Sequence, residues 1–101
     1  MMYRFSVFYP PPKDPAHFRD YYVHNHLPKA RELPNIKATR YAFNVEALEG
    51  DSPYFCIFEA DFDSKEEMFQ SLQSEQGQSV AADVPNYATG GAIILHFEVK
   101  S

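Results

Sequence analysis

One histidine in this chain is placed to carry a proton on an apolar ligand. Residues 22 to 34 read YVHNHLPKARELP. Phe18, Tyr22 and His26 recur at i, i+4 and i+8, so on a helix they share one face. Asp14 can cap that helix, and Pro15 suits the first helical position, where a missing N–H costs nothing. Pro28 disfavours helical geometry at Leu27, so the helix is predicted to run from about Asp14 to His26. His26 would then sit on the core side of a helix C-terminus, beside carbonyls without helical partners. With an ordinary pKa of about 6.5, an imidazole both takes and gives a proton near neutral pH. Burial would lower that value, whereas a helix C-terminus would favour the cation. A histidine on an apolar face can equally be a satisfied core residue, and spacing leaves both readings open. His17 and His24 fall on other, solvated parts of the helix, and His96 lies in the last strand.

The elements that position His26 follow from periodicity. Met2 to Tyr9 alternates Tyr3, Phe5, Val7 and Tyr9 against Arg4 and Ser6, as a strand does, and Pro10 to Pro12 end it. After the helix, a loop is predicted from Pro28 to Asn35. A second strand follows over Ile36 to Glu46. The turn cluster from Glu49 to Pro53 leads to a third strand, Tyr54 to Phe62. A second helix opens at Asp63 or Ser64, each with a glutamate three residues on that suits a capping box. Met68, Phe69 and Leu72 supply its buried face, Gly77 interrupts it, and Val80, Ala81 and Val84 continue a short apolar stripe. Asn86 to Gly91 is a loop, and Ala92 to Val99 a fourth strand. The order β-α-β-β-α-β over residues 1–101 is that of a single ferredoxin-like α+β domain, a four-stranded antiparallel sheet with helices on one face.

Two helices cover only one sheet face, yet both faces of strand three carry large apolar groups. The alternation puts Tyr54, Phe58 and Phe62 on one side and Phe55 and Ile57 on the other. An uncovered apolar face marks an interface, and a homodimer with two sheets face to face is its simplest closure. Nine phenylalanines and seven tyrosines predict a wide, ring-lined core. A net charge of −5 argues against nucleic acid, which needs clustered lysine and arginine. The single Cys56 excludes an internal disulfide and fits a reducing compartment. No stretch approaches the roughly twenty apolar residues of a membrane span, and the alternating N-terminus is unlike a signal peptide. The expected location is cytoplasmic.

These residues resemble the EthD family, named for a protein linked to degradation of ethyl tert-butyl ether, within the dimeric α+β barrel superfamily. The resemblance rests on Phe18 to Pro34, especially His26-Leu27-Pro28 and Leu33-Pro34 leading to Tyr41. It rests also on residues 75 to 91, EQGQSVAADVPNYATGG. It implies a dimer of paired sheets with a ligand cleft between sheet and helices in each subunit. It also implies a relationship to cofactor-independent oxygenases, lactone isomerases and polyketide dehydratases or cyclases. His26 matches the family histidine, a proton carrier on hydrophobic or aromatic substrates. The cysteine of the isomerase branch aligns with Ala60 here, so Cys56 is an inert thiol in mid-strand. Asp83 is a family-type acid able to orient an imidazole or cap the following loop.

Around His26, then, Phe18, Tyr22, Tyr41, Phe69 and Asp83 are the candidate substrate-binding residues, with Leu72 beside Phe69 on the far wall. No cofactor and no metal is expected: His24 and His26 point apart, and Gly90-Gly91 lacks a phosphate-loop pattern. The expected activity is oxidoreductase, isomerase or dehydratase chemistry in the catabolism of hydrophobic compounds. The alternative is a non-catalytic accessory protein that binds a hydrophobic metabolite.

Overall fold

A computed structural model describes all residues, Met1–Ser101. Strand β1 (Met2–Tyr9) pairs antiparallel with β3 (Cys56–Phe62) on one side and with β4 (Ile93–Val99) on the other. Strand β2 (Ala38–Phe43) pairs antiparallel with β3, giving the sheet order β2-β3-β1-β4. This is the ferredoxin-like α+β arrangement the alternation predicts. Val7, Tyr9, Phe58, Ala60 and Phe62 point to the covered face and are buried with Phe18, Tyr22, Leu27 and Met68. No helix is long and apolar enough to cross a membrane.

The first helical segment departs from expectation. Helix α1 (Pro15–Tyr21) is capped by Asp14, whose carboxylate accepts the His17 N–H at 3.1 Å. It does not stop at His26. A wide π turn over Tyr22–His26 passes directly into α2 (Leu27–Ala30), and the Leu27 N–H reaches back five residues to the Tyr22 carbonyl. A proline inside an ordinary α-helix collides with the carbonyl four residues back. The wider turn gives the Pro28 ring room and asks no N–H of it, so the helix continues where the dipeptide rule predicted its end. The segment from Pro28 is therefore helical to Ala30 rather than loop throughout. His26 lies in mid-helix, beside carbonyls that the turn keeps engaged.

The second helical segment breaks at Ser74, not at Gly77. Helix α3 (Lys65–Gln73) starts at Ser64, whose hydroxyl accepts the Glu67 N–H at 3.1 Å. Ser74, extended at ψ 165°, ends α3 and caps α4 (Glu75–Asp83) through its hydroxyl and the Gly77 N–H. Gly77 is inside α4 because the corner is tight. A Cβ there would sit 2.4 Å from the backbone oxygens of Ser71 and Leu72. Met68 and Ser71 form the buried face of α3, while Phe69, one position round the helix, is half exposed at the sheet edge against His96. A short 3-10 turn, Val84–Asn86, follows α4.

Strand β3 also begins later than predicted, at Cys56. Before it the chain bends, so the alternation does not extend back to residues 54 and 55. Phe55 consequently turns inward against Phe18 and Phe43, and Tyr54 packs on Phe8, the reverse of the predicted faces. The uncovered face divides in two. Ile93, Leu95 and Phe97 of β4 stand exposed along one side. Toward β2, Asp61 is buried beneath Arg4 and Arg40, accepting from Arg4 Nε at 2.8 Å and Arg40 Nη2 at 2.6 Å.

Candidate active site

His26 is buried and belongs to a column of stacked rings, Phe18 on Tyr22 and Tyr22 on His26, each pair at 5.4 Å. The i, i+4, i+8 spacing thus survives the π turn. Tyr87, from the loop after α4, closes on the imidazole at 4.7 Å. The two edges of the ring have different surroundings. Nδ1 lies 2.9 Å from Asp83 Oδ2, at the end of α4. Nε2 has no hydrogen bond within the chain. The sealed, unpartnered side-chain atoms are Ser6 Oγ, Tyr22 Oη and Ser71 Oγ, and Nε2 is not one of them.

The space beside the ring is a cavity of about 80 Å³ between sheet and helices. Phe5, Val7, Tyr9 and Phe58 form its floor, with Ala30 and Leu33 on one wall. Leu72, Gly77, Val80, Ala81 and Val84 form the other, and Ile94 on the edge strand β4 lines the exit. Of thirteen lining residues, eleven are hydrophobic; the exceptions are His26 and Gly77. The apolar stripe Val80, Ala81, Val84 that the sequence shows after Gly77 is thus a cavity wall.

The charge on Asp83 governs the imidazole. Burial alone would raise its carboxyl, but hydrogen bonds from Tyr21 Oη at 2.6 Å, Asn86 Nδ2 at 2.9 Å and His26, with Lys29 nearby, bring it down to about 2. It is therefore ionised at neutral pH. A carboxylate only accepts, so the bond to His26 places the ring proton on Nδ1 and leaves the Nε2 lone pair free. Burial pulls the His26 pKa below its ordinary value, and Asp83 opposes that pull only in part. The result is a neutral imidazole of fixed tautomer on a residue that lines an apolar cavity, its basic nitrogen free of protein partners, an arrangement suited to proton transfer. No group of His, Cys, Asp and Glu side chains is arranged to hold a metal ion.

The other sequence candidates separate. Phe18 and Tyr22 back the imidazole but do not line the cavity, and Asp83 lies behind the ring, away from it. Tyr41 of β2 and Phe69 of α3 stand outside it, both half exposed, whereas Leu72 lines it. Tyr41 is displaced because β2 is an edge strand on the far side of β3, and Phe69 because α3 turns Met68 inward instead. The hydroxyls of Tyr9 and Tyr87 bond each other at 2.7 Å, and burial pushes the Tyr9 phenol up to about 12. Burial likewise pushes the Cys56 thiol up to about 12, which leaves it protonated and unreactive. Sequence reasoning missed Tyr9, Tyr21, Asn86 and Tyr87. Asn86 carries a local signal, three residues after Asp83, but the tyrosines come from separate elements and carry none.

Comparisons with known proteins agree with this architecture. A family profile described as EthD domain matches residues 10–91. An uncharacterized 11.0 kDa protein of Rhodococcus erythropolis, from the thcB-thcC intergenic region, is 38% identical over 96 residues, covering 93% of this chain and 91% of the relative. An ethyl tert-butyl ether D (EthD) family protein of Bacillus halodurans has the same fold, with a TM-score of 0.92 at 22% identity, over 99% of this chain and 100% of that one. Hydroxynitrile lyase from Passiflora edulis superimposes with a TM-score of 0.77 at 14% identity, over 98% and 94% of the two chains. A dimeric ferredoxin-like protein of unknown function from Jannaschia superimposes with a TM-score of 0.73 at 16% identity, over 98% and 100%.

Proposed function

The chain belongs to the EthD family, and we propose that it is a small enzyme of hydrophobic or aromatic compound metabolism in which His26 is the general acid/base. The observation that carries this reading is the divided imidazole of a cavity-lining residue, with Nδ1 held by an ionised Asp83 and Nε2 without a protein partner. A structural histidine would have both nitrogens occupied by protein groups. The chemistry is of oxidoreductase, isomerase or dehydratase type, and its mechanism asks for neither metal nor organic cofactor. His26 takes a proton from the substrate at Nε2, Asp83 steadies the imidazolium so formed, and the ring returns the proton to another atom of the substrate. Phe18 and Tyr22 hold the ring flat by stacking, and are positioning residues. A solved neighbour of the same fold is a hydroxynitrile lyase, which supports an enzymatic reading at the level of the scaffold.

The working form is a homodimer through the open sheet face. Ile93, Leu95 and Phe97 are each more than two-fifths exposed on that face. Burying such groups is favourable by roughly 25 cal/mol per Å² of apolar surface. The Jannaschia neighbour is described as dimeric, which supports a dimeric state here. Sedimentation at micromolar concentration should give a dimer, and a monomer-sized species alone would contradict it. A cytoplasmic location accords with the single unreactive cysteine.

The functional test is a thermal-shift screen of small aromatic and lactone compounds, followed by turnover with wild type and His26→Ala. Ligands should raise the melting temperature by mass action, and turnover should fall by about 10²- to 10⁴-fold in the variant. Unchanged turnover in His26→Ala would overturn the mechanism. Binding without any turnover in wild type would leave a non-catalytic carrier of the same ligands.

A further inference from the structure

The Asp83 carboxylate is divided in the same way as the imidazole it holds. Oδ2 accepts the His26 Nδ1–H at 2.9 Å. Oδ1 accepts from the Tyr21 hydroxyl at 2.6 Å and from the Asn86 amide at 2.9 Å, with Lys29 Nζ at 3.8 Å. These three neighbours are not equal. Asn86 is exposed and its Nδ2 also reaches Tyr21 Oη at 3.3 Å, so water can stand in for it. Lys29 lies beyond hydrogen-bond distance, with 44% of its side chain in solvent. Tyr21 is the last residue of α1, half-buried, with its ring stacked on Tyr87 at 5.9 Å. Its O–H···O bond has the length of a charge-assisted one. Burial raises the Asp83 carboxyl, and Tyr21 is foremost among the groups that bring it down to about 2.

From this geometry we infer that Tyr21 is a positioning residue for His26: its hydroxyl takes up part of the Asp83 charge and so limits the hold of that carboxylate on the ring. The inference rests on the reading of His26 as acid/base above. Two donors on one anion compete, because each draws on the same negative charge. Charge that Tyr21 draws is withheld from Nδ1–H. A base needs that restraint. A carboxylate with no other donor would favour the imidazolium most strongly, and a ring already charged cannot take a proton. The same bond fixes the carboxylate in rotation: with Oδ1 turned to α1, Oδ2 is the oxygen presented to the imidazole. Stacking by Phe18 and Tyr22 orients the ring but does neither of these things.

Other titratable groups surround the pair. His17 of α1 lies on the Tyr21 ring at 5.6 Å, Tyr22 stacks on His26 from the π turn, and Lys29 approaches from α2. Tyr87 closes from the loop after α4, bonded to Tyr9 of β1. Of the four tyrosines, Tyr21 is the one whose hydroxyl bonds the carboxylate.

Grading the donor separates this role from packing. Wild type, Tyr21→Phe and protein carrying 3-fluorotyrosine at position 21 are compared, since ring fluorination makes the phenol a stronger donor with little change in size. Nitrogen-detected NMR of the full-length, imidazole-labelled proteins reads the His26 midpoint and its Nδ1 proton without any ligand. The midpoint should rise by about half a pH unit in Tyr21→Phe and fall in the fluorinated protein. The Nδ1 proton should move downfield in Tyr21→Phe, as its bond to Asp83 tightens, and upfield in the fluorinated protein. In an Asp83→Asn background the changes at position 21 should no longer order the midpoints, because the carrier of the effect is gone. In a His17→Gln background the order should persist. Packing alone would set phenylalanine apart from the two phenols without separating the phenols from each other. Equal midpoints for tyrosine and fluorotyrosine, or the reverse order, therefore overturn the inference, and so does an order that survives Asp83→Asn or vanishes in His17→Gln. With the proton still on Nδ1, any of these results leaves the acid/base reading of His26 standing. A neutral ring protonated at Nε2 in wild type would remove that reading and the inference with it. If Tyr21→Phe does not fold, the two phenols decide alone.

Discussion

Two buried aspartates, Asp61 in the sheet and Asp83 at the end of α4, behave differently because of what each one meets. Asp61 and Asp83 are both less than 4% exposed. In each, burial works to raise the carboxyl and hydrogen bonds more than reverse it. Asp61 meets two guanidinium groups, whose charge is permanent in any ordinary solution. Asp83 meets a tyrosine, an asparagine and an imidazole that can change its charge. The first arrangement is a strut: no protonation event short of acid alters it. The second is poised, because one partner has a free nitrogen at a cavity and gains a proton there without moving. A buried carboxylate thus marks a candidate site only when its partner can titrate and can be reached.

The largest expected effect tests that contrast through stability. Asp83→Ala leaves the Tyr21 hydroxyl, the Asn86 amide and Nδ1 of His26 without their shared acceptor, and should cost about 2–4 kcal/mol in chemical denaturation. Asp61→Ala should cost less, about 1–3 kcal/mol, because Arg4 and Arg40 both reach water and can rehydrate. Asp61→Ala should also leave ligand binding unchanged, whereas Asp83→Ala should weaken it. If the two substitutions affect binding equally, the division between strut and site is wrong.

Acid separates the pair next. The folded Asp83 carboxyl lies below its unfolded value, so its contribution is complete above the usual carboxylate range. It is lost as pH falls from about 4 toward 2, on the order of 2 kcal/mol in all. Asp61, also lowered, loses its contribution in the same direction. His26 acts earlier. Its folded pKa lies below the unfolded one, so the unfolded chain binds the proton first and stability declines as pH falls below about 6.5. His26→Gln should remove that early decline and keep the later one. An unchanged slope between pH 6.5 and 5 would mean that His26 is not held neutral.

The smallest effect concerns the ring column. The Tyr22 hydroxyl is sealed from solvent with no well-formed hydrogen bond, its polar neighbours Tyr9 and Cys56 giving it a poorly aligned return for its desolvation. Tyr22→Phe should be neutral or stabilising, by up to about 1 kcal/mol, and should leave ligand affinity intact. A loss of more than that would assign the hydroxyl a role in the site.

Much of this was legible in the sequence, and the gaps have physical causes. Alternation and capping located all four strands and both helical segments, and the i, i+4, i+8 spacing put His26 on the buried face. The segment around Asp83 was recognisable, but its bond to His26 joins elements 57 residues apart. The helix end was misplaced because the proline rule assumes an α turn, and a π turn at Tyr22–His26 removes the clash the rule describes. The break at Ser74 was given to Gly77 because glycine usually interrupts helices, whereas here it permits close approach to Leu72. The charged half of the open face was missed altogether. Arg4, Arg40, Glu59 and Asp61 meet only through strand register, which no single segment encodes.

The central claim is the state of one ring: His26 neutral, protonated at Nδ1, with Nε2 free. Nitrogen-detected NMR of imidazole-labelled protein, titrated from pH 8 to 4, reads tautomer and pKa together. A pyrrole-like signal at Nδ1, a pyridine-like signal at Nε2 and a midpoint below about 6.5 are expected. A proton on Nε2 in the neutral form, or a midpoint above the ordinary histidine value, would contradict it.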